Sequence, residues 1–306
     1  MSVPFIKPRF KLTRILPLSL LALLLCIAQP TVAHADTGST TQVRGLLITP
    51  LKQYLKTAAG TTLGSNLSVT NLTDKPLDVH LSVQQFSVTD YTYNYQFTQP
   101  NDDWLHLTQT DFNLQPHHTQ TVAYQLSVPA HTAPGGRYYT LFASADLADQ
   151  GIHNTIQAAD LLYLTVSGKL TYTTTLHSSS IGHFSFGQPI SYTLEPVNTG
   201  NVYFFAYTSG QLHGLTTRPA PTPEAHILMP GAIRKLTGAI PAPVLPGLYK
   251  ATYGYSIDNG PTLQRTATVL FIPPWSAAFL IAGLLIVGTI VRGRRHRKRH
   301  QKTNNS

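Results

Sequence analysis

The sequence predicts an all-β exported protein: two tandem β-sandwich domains behind a signal peptide and ahead of one C-terminal transmembrane helix. Three observations predict it. Apolar and polar residues alternate with period two through much of residues 36–272. A short apolar run behind four cations opens the chain. An uncharged apolar run followed by seven cations closes it.

At the N-terminus, Lys7, Arg9, Lys11 and Arg14 precede an apolar run from Ile15 to Ile27. Ala33-His34-Ala35 then supplies the small residues of an A-x-A cleavage site. The run is short for a bilayer, which needs about 20 residues. Residues 1–35 therefore read as a signal peptide removed before Asp36, with an uncleaved anchor as the other reading. Cys26, the only cysteine, lies inside this segment. Leu25 stands just before it, where lipidation wants a small residue. The mature chain then carries no thiol, which rules out disulfides and cysteine-held metals. An exported chain without disulfides suits a Gram-positive-type bacterial surface.

The body, residues 36–272, holds all 13 acidic residues but only 11 of the 22 Lys and Arg, so its net charge is −2. A phosphate-binding patch would have to sit on this body, so no nucleic-acid partner is expected. Its alternation is that of strands with one buried face. Leu77, Val79, Leu81 and Val83 alternate with Asp78, His80, Ser82 and Gln84. Val122, Tyr124, Leu126 and Val128 repeat the pattern, as do Tyr249, Ala251, Tyr253, Tyr255 and Ile257. The apolar phase slips between Val83 and Phe86, which predicts a β-bulge near Gln84-Gln85. Gln53 to Ala59 reads as a short turn of helix.

Two halves of the body echo one another. The first has an Asn turn at Asn71-Leu72-Thr73-Asp74, then Leu114-Gln115-Pro116, Val128-Pro129 and Pro134-Gly135-Gly136-Arg137-Tyr138. The second has Asn198-Thr199-Gly200-Asn201, then Leu228-Met229-Pro230, Ile240-Pro241 and Pro246-Gly247-Leu248-Tyr249. Asn and Gly accept tight-turn backbone angles, and Pro ends strands. The echo predicts one sandwich design used twice, over residues 36–167 and 168–272.

At the C-terminus, Pro273-Pro274 stops the last strand and residues 273–291 form the predicted span, apolar and uncharged from Trp275 to Val291. The basic tail, residues 292–306, is placed in the cytoplasm by its cations. The expected topology is a single-pass cell-membrane protein with its body outside, in contact with the lipid bilayer through this helix.

These punctuation motifs, together with Trp104-Leu105-His106-Leu107, resemble the WxL-interacting-protein-like (DUF916-type) bacterial surface proteins. That resemblance covers most of residues 44–300. It implies tandem Ig-like domains and a binding or scaffolding role in the cell envelope. Peptidoglycan contact would come from the first domain and surface-protein contact from the second. No family ligand residue maps onto this chain.

Catalytic motifs for hydrolases, metalloproteases or nucleotide chemistry do not occur. Asp102-Asp103 reads as a solvated turn, and Asp90, Asp111 and Asp160 are carboxylates whose meeting in space the sequence does not decide. His117-His118 reads as an exposed turn, with no metal and no cofactor expected. The partner surface singled out is Tyr91, Tyr93, Tyr95 and Phe97. Period two puts these on one strand face, as a stacking platform for sugars or proteins if exposed and as core if buried. On the exposed reading, Tyr93→Ala lowers retention without lowering the melting temperature. Tyr203, Phe204, Phe205 and Tyr207 form a second aromatic cluster read as core. The expected function is a non-enzymatic envelope binding or scaffold protein. A strand-edge chaperone for surface proteins is the alternative, and an unrecognised envelope hydrolase comes after it.

Overall fold

The computed structural model describes residues 45–88, 91, 93–149, 152–214, 218–219, 224–258 and 260–303. The predicted signal peptide and Asp90 lie outside them. The described chain is mostly strand, with one helix at its end.

The first half contributes β1 (Leu46–Thr49), β2 (Lys52–Thr57), β3 (Thr62–Asn71), β4 (Leu77–Val88), β5 (Tyr95–Thr98), β6 (Leu105–Leu107), β7 (Asp111–Leu114), β8 (Thr119–Ser127), β9 (Gly135–Asp149) and β10 (Ile152–Val166). One sheet runs β1-β3-β8-β6. The other runs β2-β10-β9-β4-β5, with β7 also on β4. The chain crosses between these sheets at Pro50. They close on a core in which Ile48, Leu67, Val69 and Leu126 meet Leu81, Leu141, Leu162 and Leu164.

The second half contributes β11 (Thr174–Ile181), β12 (Phe184–Phe186), β13 (Ile190–Asn198), β14 (Phe204–His213), β15 (Arg218–Pro219), β16 (Ala225–Leu228), β17 (Leu236–Ile240), β18 (Gly247–Ile257) and β19 (Thr262–Ile272). Its sheets are β11-β13-β17 and β12-β19-β18-β14-β15, with β16 also on β14. Tyr192, Leu194, Phe204, Tyr255, Val269 and Phe271 fill the core between them. The helix α1 (Pro274–Thr303) follows directly. Its part Pro274–Arg292 is long and apolar enough to cross a membrane, with none of it buried.

Gln53 to Thr57 is strand β2, not helix. Its backbone pairs in parallel with β10, from Lys52↔Leu161 to Thr57↔Val166. An edge partner supplied from over a hundred residues away overrides the local helical reading.

The predicted bulge at Gln84-Gln85 is absent. The ladder from Val79↔Ala145 to Gln85↔Tyr139 runs without a register shift. The alternation never slips. Instead burial changes side: Val79 and Leu81 face the first core, while Phe86 and Val88 face the second sandwich.

Asn71 and Asn198 explain the echo. Each is fully buried at the end of a strand. Asn71 Nδ2 donates to Lys75 O (2.8 Å) and Leu114 O (3.0 Å), and its Oδ1 accepts from Thr73 N (2.8 Å) and the Thr73 hydroxyl (2.7 Å). Asn198 Nδ2 donates to Val202 O and Leu228 O, both at 2.9 Å, and its Oδ1 accepts from Gly200 N (2.8 Å). Both amides thus tie a turn to the carbonyl two residues before the following Pro. The side chain supplies bonds that the backbone, leaving its ladder, no longer makes.

Within the first core, Tyr124 donates to Gln53 Oε1 (2.8 Å), and the Gln53 amide donates to Asp160 Oδ2. Asp160 is buried and its Oδ1 has no partner. Burial pushes its carboxyl up to about 6, with the Gln53 bond pulling the other way. The folded state therefore holds this proton more tightly than the unfolded chain. The stabilisation is complete below the ordinary carboxylate pKa and is lost as pH rises through about 6. Asp160→Asn should stabilise the fold at pH 7.5 by about 2 kcal/mol after allowance for screening, raising the melting point, and should flatten the fall in stability between pH 4 and 7. Thermal scans across that range check it.

Candidate functional site

The outer face of the β2-β10-β9-β4-β5 sheet is aromatic because the alternation that sends leucines inward sends Tyr54, Tyr163, Tyr138, Phe86 and Tyr95 outward. The second sandwich covers this face. Tyr163 sits at its centre, fully buried, with ring centroids of Tyr54 at 5.2 Å, Phe86 at 5.2 Å, Tyr203 at 5.3 Å and Tyr138 at 5.8 Å. Burial raises the phenol pKa of Tyr93, Tyr138 and Tyr163 above its ordinary value, so all three stay protonated and uncharged in the joint.

Hydrogen bonds pin the sandwiches together around these rings. Tyr203 N donates to Tyr138 Oη (3.1 Å) and Met229 N to Tyr93 Oη (2.9 Å). Gly136 N donates to Asn201 O (2.8 Å), and Asn201 Nδ2 to Pro134 O (3.2 Å). Gly135, at φ +146°, is required here, because a β-carbon would lie 2.7 Å from Asn201 O.

Of the four residues read from sequence as one strip, Tyr93, Tyr95 and Phe97 keep neighbouring rings in contact, with both centroid distances 6.2 Å, while Tyr91 turns edge-on to His177 at 6.3 Å. The strand holding Tyr95 and Phe97 begins only at Tyr95, and Tyr93 adopts φ +66°, which breaks period two before it. Tyr93 is half-buried, with the Arg234 guanidinium 4.1 Å over its ring. Tyr95 is also half-buried, against Phe86. Tyr91 and Phe97 are exposed, with Phe97 edge-on to Phe142 at 5.0 Å. Tyr93 thus belongs to the joint between sandwiches. Of the second aromatic cluster, Phe204 is core, while Tyr203 and Phe205 face the junction.

Beside the buried joint lies a groove of about 220 Å³. Tyr54, Tyr203 and Phe205 wall it, with Tyr54–Tyr203 and Tyr54–Phe205 centroids both 5.7 Å apart. Lys56 and Asp258 also line it. Tyr54 is 47% exposed despite this stacking. The volume is below that of a typical small-molecule pocket, so it suits one ring of a longer ligand. Aromatic faces with one cation and one carboxylate fit a sugar's C–H face and hydroxyls, or a partner's side chain. Sequence reasoning missed this site because Tyr54, Tyr203 and Asp258 come from segments far apart in the chain.

The carboxylates do not converge. Asp160 is inside the core, while Asp111 lies on β7, separated from β10 by β4 and β9. Asp102 is half-buried rather than a solvated turn, accepting from Tyr139 Oη and Gln85 Nε2, both at 2.8 Å. His117 bonds Asp74 (3.0 Å) and His118 bonds Pro116 O (2.8 Å), so the two rings diverge. Among the described residues no group of His, Cys, Asp or Glu could hold a metal.

Asp111, His80 and Ser144 do form a row across β7, β4 and β9, with His80 Nδ1 2.7 Å from Asp111 Oδ1. The His80 bond holds the Asp111 carboxyl below its usual range. Ser144 Oγ donates to His80 O (3.2 Å) instead of facing the imidazole. The row therefore lacks the serine–histidine bond that nucleophilic catalysis requires.

No family model and no curated protein matches the chain. Solved structures similar in outline include the YadV chaperone, at 12% identity and TM-score 0.38, covering 74% of this chain and 100% of that one. The E. coli chaperone DraB is similar at 14% identity and TM-score 0.37, covering 73% and 97%. The CsuC–CsuE chaperone-tip adhesion subunit complex from Acinetobacter baumannii is similar at 8% identity and TM-score 0.38, covering 74% and 99%. At these scores the likeness bears on no residue of this chain.

Proposed function

We propose that this chain is a membrane-anchored, non-catalytic binding protein of the bacterial cell envelope, with two Ig-like sandwiches outside the cell. The observation that carries the reading is the groove walled by Tyr54, Tyr203 and Phe205, with Lys56 and Asp258 beside the rings. The helix Pro274–Arg292 is the anchor, and the cations after it keep the tail in the cytoplasm. The resemblance to WxL-interacting-protein-like chains supplies the ligand class: peptidoglycan glycan strands, with surface proteins as further partners.

Tyr54→Ala in the detergent-solubilised full chain should weaken retention on purified peptidoglycan about tenfold, or about 1.4 kcal/mol, with a smaller loss of stability than Tyr163→Ala because Tyr54 is 47% exposed. A sedimentation assay reads this. Equal retention of wild type and variant would remove the groove from the account.

A second reading is a chaperone-like assembly factor for surface proteins that pairs a strand edge with its client. Strand β11 favours it, as the longest edge strand among the described residues. Its bulge between Leu176 and Ser178 blunts that edge. Capture of a surface protein unaffected by Tyr54→Ala would favour this second reading.

A further inference from the structure

We infer that the second sandwich rests on the lipid surface through an apolar patch at its membrane-proximal end. The inference rests on reading Pro274–Arg292 as a membrane span. Phe184, Leu270 and Leu248 stand side by side on β12, β19 and β18, in the register Phe184↔Leu270↔Leu248. They are 60%, 38% and 72% exposed, and Phe186 beside them is 48% exposed. Their strand neighbours Ser185, Tyr249, Val269 and Phe271 are buried, so the patch is the outer face of a well-packed sheet and not loose core. The preceding loop adds exposed Val244 and Leu245 at the same end.

The occupant follows from position and charge. Ile272 ends β19, Gly187 N bonds Ile272 O (3.0 Å), and the Pro274 ring packs on Gly187, where a β-carbon would lie 2.7 Å away. Leu270 is thus four residues, about 13 Å of strand, from the start of the span. That places the patch against the outer headgroup layer. The three acidic residues of residues 168–272 lie away from it: Asp258 and Glu224 at the opposite end of the sheet, Glu195 on β13 of the other sheet. Lys250, exposed on the same face as Leu248 and one row farther from the helix, is placed to meet lipid phosphates.

Nitroxide labels on the full chain in lipid nanodiscs test this. Leu248→Cys, Gln264→Cys and Ile286→Cys are made singly in a Cys26→Ser background. Gln264 is exposed on β19 toward its far end, and Ile286 lies in the span. The Leu248 label should favour oxygen over a water-soluble nickel relaxant several-fold more than the Gln264 label, approaching the Ile286 label. Equal nickel access at positions 248 and 264, with position 286 lipid-protected, overturns the patch and leaves the anchor intact. Nickel access at 286 as well overturns both. Spin–spin broadening at 248 shows a second copy covering the patch and overturns the lipid assignment.

Discussion

Asn71→Ala and Asn198→Ala should each unfold the protein at a temperature lower by roughly 10–20 °C. Each amide makes three or four bonds inside a site with no solvent access. A net hydrogen bond contributes about 1 kcal/mol, and each buried carbonyl or amide left without a partner costs about 1–3 kcal/mol. The sum, discounted for relaxation and water entry, is about 3–5 kcal/mol, which sets the shift in melting temperature. Asp in place of either Asn keeps the accepting oxygen but loses both donated bonds and buries a charge, so it should be no better than Ala. Differential scanning calorimetry on the detergent-solubilised chain checks both. A loss below about 1 kcal/mol for either variant would mean that the knot is replaceable by water.

Tyr163→Ala should cost about 3–5 kcal/mol and split the unfolding of the two sandwiches into separate transitions. The ring fills the centre of the joint, and its removal leaves Tyr54, Phe86, Tyr138 and Tyr203 around an empty volume. Tyr163→Phe removes only the weak contact of its hydroxyl with Tyr95 Oη (3.3 Å) and should cost about 1 kcal/mol or less. Calorimetry on both variants separates ring packing from hydroxyl bonding. One coincident transition in Tyr163→Ala, with little loss, would show that the joint does not couple the sandwiches.

Much of the strand content was legible because period two is written directly into segments such as Leu77–Val83 and Tyr249–Ile257. The paired Asn turns were legible as an echo, though not as buried knots: the sequence marks a turn residue without marking what covers it. The side of each strand that meets water was not legible at the joint. Phe86 and Val88 looked like a register slip because the second face of β4 becomes buried by a domain encoded far along the chain. The same cause misplaced Tyr93, whose partners Met229 and Arg234 lie more than a hundred residues away. Its Ala variant removes part of the joint and so should lower stability, the reverse of the expectation for a free strip. The groove was illegible for the same reason, since Tyr54, Tyr203 and Asp258 share no local pattern.

Hydrogen exchange of the full chain in nanodiscs, with and without solubilised peptidoglycan fragments, is the most direct test of the binding account. The account predicts new protection at Tyr54–Lys56 and Tyr203–Phe205. Protection confined to the β11 edge, or none at a concentration where the fragments bind, would contradict it.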